Sequence, residues 1–183
     1  MQTIILNTTE ATFISSAQPN ANFSIYPVVY AGIDEIYQSC MGFLRFELPI
    51  LPVTSVKKAL LEISILVKTS ESPSTIVFNR VTSAINTSTV TYNTKPTFVE
   101  TPVQAEITSA DLYTEMQIDV TDLVNDWLSG TYPNYGFAIT NTDEASLVQF
   151  ASRNISYQPY YPKLSLTYSG TTVEPEIENP TEE

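Results

Sequence analysis

Apolar residues recur at every second position in one short segment after another of this chain, and Leu61, Ile63, Ile65 and Val67 make the clearest run. A period of two puts successive side chains on opposite faces of an extended strand, so these four share one face. That face is expected to be core. The same parity turns Leu44, Phe46 and Leu48 inward with Arg45 and Glu47 outward. It also aligns Val90 with Tyr92, Met116 with Ile118, Phe137 with Ile139, Val148 with Phe150, and Leu164 and Leu166 with Tyr168. Segments 2–6 and 11–15 bring the count to about ten short strands, more than one open twisted sheet from a chain of 183 residues accommodates without folding over. The expected fold class is therefore all-β, an antiparallel sandwich of two packed sheets.

One stretch departs from this period. Val120, Leu123, Val124, Trp127 and Leu128 fall at helical spacing, which predicts one short helix near residues 120–129. Asp119 or Thr121 can cap its first turn, Asp122 suits the positive N-terminal end, and Gly130 can adopt the left-handed conformation just past the other end. Trp127 is expected to be buried as a plug, and residues 132–136 read as a turn into the strand that holds Phe137.

Residues 1–169 read as one domain. The last fourteen, 170–183, hold five Glu, two Pro and no aromatic residue, and are expected to form an acidic tail with no order of its own. The start of the chain has neither a basic n-region nor an apolar run of signal-peptide length, so no Sec signal is expected. No stretch approaches 18 apolar residues, which argues against membrane insertion.

Charge and residue types exclude further classes. A formal net charge of -12, with only eight Lys and Arg scattered along the chain, leaves no basic footprint for nucleic acid. The absence of His removes the Ser/His/Asp and Cys/His pairs, His-based zinc sites and the usual general base near neutral pH. The chain is expected not to be an enzyme. Asp119, Asp122 and Asp126 suggest paired carboxylates at first sight, but their helical spacing and cap positions account for them.

Five segments in order resemble a known family. Residues 43–48 (FLRFEL) with 51–52 (LP) and 56–61 (VKKALL) open the resemblance, followed by 79–83 (NRVTS) and 88–96 (STVTYNTKP). Residues 118–127 (IDVTDLVNDW), 134–139 (NYGFAI) and 162–168 (PKLSLTY) complete it. Together these resemble the DNRLRE domain family, also classed with carbohydrate-binding module family 96, over about residues 11–168. The resemblance implies a jelly-roll-like sandwich and a non-catalytic binding or adhesion module at a bacterial or archaeal surface.

The candidate ligand-binding residues are those of the richest polar-aromatic cluster: Tyr157, Gln158, Tyr160 and Tyr161, with Arg153 and Asn154 beside them. Sugar sites combine flat aromatic faces with neighbouring hydrogen-bonding groups, and a polysaccharide or glycan is the expected partner. Plain packing of these tyrosines is the competing reading. Phe23, Tyr26, Tyr30 and Tyr37 lie in the N-terminal connection, as core or as a partner-binding patch.

No cofactor is expected. The acidic pairs Asp34-Glu35 and Asp143-Glu144 are candidates for a structural Ca²⁺. Cys40, the single cysteine, shares strand parity with Leu44 and Phe46, which predicts a buried small hydrophobe, with an intermolecular crosslink as the alternative. The alternative function is a structural subunit of a self-assembling layer or filament on a bacterial cell, spore or virion surface, with edge strands or termini contacting other copies of itself.

Overall fold

A computed structural model of the chain describes residues 1–143 and 145–170. Most of the acidic tail, and Glu144, lie outside the described residues. Twelve strands follow in order: β1 (Gln2–Asn7), β2 (Glu10–Ser15), β3 (Val28–Asp34), β4 (Gln38–Arg45), β5 (Lys58–Lys68), β6 (Ser74–Val81), β7 (Phe98–Val99), β8 (Gln104–Ile107), β9 (Glu115–Asp119), β10 (Phe137–Asn141), β11 (Leu147–Ala151) and β12 (Lys163–Tyr168). One α-helix, α1 (Thr121–Leu128), lies between β9 and β10.

All of the pairings are antiparallel. The hydrogen-bonded path runs β1-β12-β5-β11-β3-β4-β10-β6-β7, with β2 on β4, β8 on β6 and β9 on β5. The all-β sandwich is therefore present as one sheet curled over on itself, its two leaves joined through the eleven-residue β5. Lys58–Glu62 of β5 pairs with β12, and Leu60–Ser64 pairs with β9. Farther along, Ile65, Val67 and Lys68 pair with β11.

This handover explains a departure from the sequence pattern. Leu61, Ile63 and Ile65 are buried as the period of two requires, but Val67 is 40 % exposed. Phe150 lies opposite Ile65 and Gln149 opposite Val67, so one extra residue of β5 bulges at the crossing and the inward alternation stops there.

The main core is built from both leaves. Phe46, Leu61, Ile63, Phe78, Phe137, Ile139, Phe150, Leu164 and Leu166 all belong to it. A second, smaller cluster of Ile14, Phe43, Val81, Val90 and Ala138 covers part of the outer face of the β4-β10-β6 leaf. Val90 and Tyr92 belong to that cover rather than to a strand, since residues 92–94 form a 3₁₀ turn in the long β6–β7 connection. Their alternate spacing reflects burial without a hydrogen-bonded ladder.

The helix closes one end of the sandwich as its apolar spacing predicts. Leu123, Val124 and Trp127 are buried, and the Trp127 ring meets Phe137 at 4.9 Å, tilted by 60°. Asp119 Oδ1 accepts from the Thr121 backbone N–H at 3.0 Å and from its hydroxyl at 2.6 Å. These bonds hold the Asp119 carboxyl below the ordinary carboxylate range. Asn125 clamps the helix to the segment before β5, accepting from Val56 N–H at 2.8 Å and donating to Val56 O at 3.1 Å. Gly130 ends the helix at φ +76°, in the left-handed region.

Candidate functional site

The tyrosine-rich segment forms a 3₁₀ turn, Gln158–Tyr160, entered through Tyr157 and closed by Tyr161. Tyr161 N–H donates to Gln158 O at 2.9 Å, and Pro159 inside the turn fixes its own φ. Tyr157 is 56 % exposed, while Tyr160 and Tyr161 are half-buried. The rings of Tyr157 and Tyr160 meet edge to face, 4.8 Å apart at 78°. Tyr160 thus props Tyr157 from the side, and one ring rather than a coplanar row offers a face to solvent.

Arg153 and Asn154 sit at the head of the same loop, where both are engaged with backbone. Arg153 donates to Thr9 O, in the β1–β2 turn. Asn154 Nδ2 donates to Ser24 O at 2.6 Å and to Tyr26 O at 3.4 Å. These long-range ties anchor the loop beside the tyrosine turn, with both side chains at the exposed surface. Gln158 is exposed.

The aromatic residues of the N-terminal connection gather on Phe13. Phe23 stacks on it at 4.3 Å, and Tyr26, Tyr30 and Tyr37 meet it edge-on at 4.7–5.9 Å. Tyr30 lies within β3, so this region is part strand and not wholly connection. Burial, then Tyr37 and Asp34 nearby, raises the Tyr30 phenol above its usual range. Phe13 and Phe23 are core, whereas Ile25 and Ile36 beside the cluster are exposed.

One carboxylate of each acidic pair closes a turn. Asp34 Oδ1 accepts from the N–H groups of Ile36 and Tyr37, at 3.0 and 2.6 Å, and closes the β3–β4 turn. Asp143 Oδ1 accepts from Ala145 N–H at 3.0 Å. Among the described residues, no group of three or more acidic or Cys side chains is placed to hold a metal ion. Of the helix carboxylates, Asp126 pairs with Arg80 at 3.1 Å, and Asp119 is held by Thr121.

Cys40 is buried at 5 % exposure, as its parity with Leu44 predicts. Desolvation, with Asp34 nearby, pushes its thiol up to about 12, although a hydrogen bond with Ser15 pulls the other way. A crosslink to another copy would need β4 to open first.

One groove carries no signal in the linear sequence. On the outer face of the β10-β6-β8 leaf, Val77, Asn79, Gln104, Thr140 and Thr142, with Glu100 and Thr101, enclose a space of about 230 Å³. Its walls come from three strands and two connecting segments, and only the strand register brings them together.

No helix among the described residues is long and apolar enough to cross a membrane. No curated protein matches the chain. The model of carbohydrate-binding module family 96 matches residues 2–168, the span from the first residue of β1 to the last of β12. A match over the whole sandwich, helix included, settles the family: the chain belongs to carbohydrate-binding module family 96.

Proposed function

We propose that the domain is a non-catalytic module that binds a neutral polysaccharide, with the Tyr157–Tyr161 turn as one contact surface. Tyr157 carries this reading. A tyrosine 56 % exposed, propped edge-on by Tyr160 on a proline-stiffened turn, offers a preorganised flat face beside the exposed Gln158 amide. A sugar ring stacks on such a face at small entropic cost, because the turn is already ordered.

Charge supports a neutral ligand. Arg45, Arg80 and Lys163 are paired with Glu10, Asp126 and Glu115, and the chain carries a net charge of -12. A polyanionic glycan would meet repulsion over most of this surface. Asp119, shifted below the usual range, does not suit the general-acid role of glycoside hydrolysis, which needs the opposite shift.

Affinity electrophoresis through gels containing cellulose derivatives, xylan, mannan or polygalacturonate tests the reading. Retardation by a neutral polymer is expected, weakened by Tyr157→Ala. Retardation by polygalacturonate alone would overturn the neutral-ligand assignment.

The exposed edge of β1 favours self-association as a second reading, on a cell, spore or virion surface. β1 pairs only with β12 among the described strands, and Ile5 on it is 64 % exposed. Sedimentation of the full chain decides it, because a concentration-independent monomer sinks this reading and leaves the first untouched.

A further inference from the structure

The fold leaves few buried polar side-chain atoms unmatched. Among the described residues these are Asn79 Oδ1, Arg80 Nε and Trp127 Nε1. Burying an acceptor or donor without a partner is costly, so such atoms are uncommon in a packed domain. Arg80 has other occupations, an ion pair with Asp126 and a cation–π contact 3.5 Å above Tyr132. Asn79 has less to account for it.

Asn79 has no exposed surface and faces outward from the β6 leaf, away from Phe78 and the main core. Val81 and Ala138 on the same outer face lie in the small cluster with Ile14, Phe43 and Val90. Toward Val77 that apolar cover gives way to a polar lining. Val77 pairs with Thr140 on one side and Gln104 on the other, and Asn79 pairs with Ala138, so all of these point the same way. The groove of about 230 Å³ forms there, with Asn79 in its lining.

The hydrogen-bonding capacity of this lining is specific. Asn79 Nδ2 donates to Thr140 Oγ1 at 3.0 Å, which leaves the Thr140 hydroxyl proton for another acceptor and Asn79 Oδ1 without a donor. Thr101 Oγ1 is occupied, donating to Phe78 O and accepting from Val103 N–H. The exposed Glu100 carboxylate and Gln104 amide stand at the rim. No Lys or Arg lines the groove.

We propose that this groove is a subsite for one neutral sugar residue, recognised through adjacent hydroxyl groups. Hydroxyls donate to Glu100 and accept from Gln104 and from the Thr140 hydroxyl that Asn79 orients, a combination that neither an apolar ring nor an anion satisfies. The space is below the roughly 300 Å³ typical of drug-sized ligands, which suits a single residue of a chain. The inference rests on the glycan-binding reading and adds to it a second contact surface, independent of the tyrosine turn.

The test is a ¹⁵N-resolved NMR titration of the full chain with cellohexaose, xylohexaose, mannohexaose and hexagalacturonate. Wild type is compared with Tyr157→Ala and with the double substitution Glu100→Ala/Gln104→Ala, whose exposed sites leave the fold intact. A neutral hexasaccharide is expected to shift the side-chain amide signals of Asn79 and Gln104, and the double substitution to raise Kd about tenfold or more. Binding that moves only the Tyr157 turn, with Kd unchanged in the double variant, overturns the subsite and leaves the glycan reading standing. Preference for hexagalacturonate in the groove overturns the ligand class. Absence of binding by all four probes overturns both.

Discussion

Cys40 concentrates several of the forces that act on single residues in this domain. Its thiol lies in strand β4 at 5 % exposure, 3.9 Å from Tyr37 O, with its pKa raised to about 12 by desolvation. In the unfolded chain the thiol ionises near its ordinary 9.0, so between about pH 9 and pH 12 the folded state holds the proton and the unfolded state has lost it. Stability from this group is complete below pH 9 and falls above it, with a slope approaching ~1.4 kcal/mol per pH unit. Urea titrations at pH 8, 9.5 and 10.5 are expected to show that fall in wild type and a shallower one in Cys40→Ala. Iodoacetamide at pH 8 is expected to label the folded protein far more slowly than the unfolded protein. Gly136 is constrained by backbone rather than by charge: at φ +87°, a Cβ there would collide with the Leu44 carbonyl. Gly136→Ala is expected to cost about 1–3 kcal/mol, read as a lower urea midpoint.

At the scale of elements, α1 shows how a short helix is kept in place. Eight residues are too few for a helix to be stable alone, so its order depends on the Trp127–Phe137 contact and the Asn125–Val56 clamp. Asn125→Ala leaves Val56 N–H and C=O without those partners, and a loss of about 1–3 kcal/mol in chemical denaturation is expected. Trp127→Ala is expected to cost more, about 3–5 kcal/mol. This helix was legible in the sequence because its apolar spacing and its Gly130 point to the same element, although its N-cap is Val120, without the side-chain cap expected of Asp119 or Thr121. β12 was equally plain, since Leu164, Leu166 and Tyr168 alternate without interruption. The 88–92 segment misled, because residues that cover the outside of a sheet alternate as strand residues do. β7 and β8, two and four residues long, are too short to show a period. At the site, composition marks the tyrosine turn, but the ties of Arg153 to Thr9 and Asn154 to Ser24 span more than a hundred residues of sequence. The Asn79 groove depends on strand register, to which local sequence is blind.

The molecule as a whole depends on strand pairs far apart in sequence. β12 lies between β1 and β5, so Gln2 pairs with Tyr168 and Glu62 with Lys163. A chain ending at residue 162 would expose Leu61 and the main core along β5 and leave β1 without a partner. Such a chain is expected to lack a cooperative unfolding transition by circular dichroism, whereas a chain ending at residue 169 keeps it.

The same pairing sets a timetable for the nascent chain. The strand that joins β1 to β5 is the last of the twelve to be synthesised, so the first 160 residues leave the ribosome with no means of closing the sheet. At roughly 5–20 residues per second, that is a wait of many seconds with β5, the longest and one of the most apolar strands, open along an edge. Closure of the sheet then waits for β12, and the chain before that moment is a client for whatever holds unfolded proteins apart.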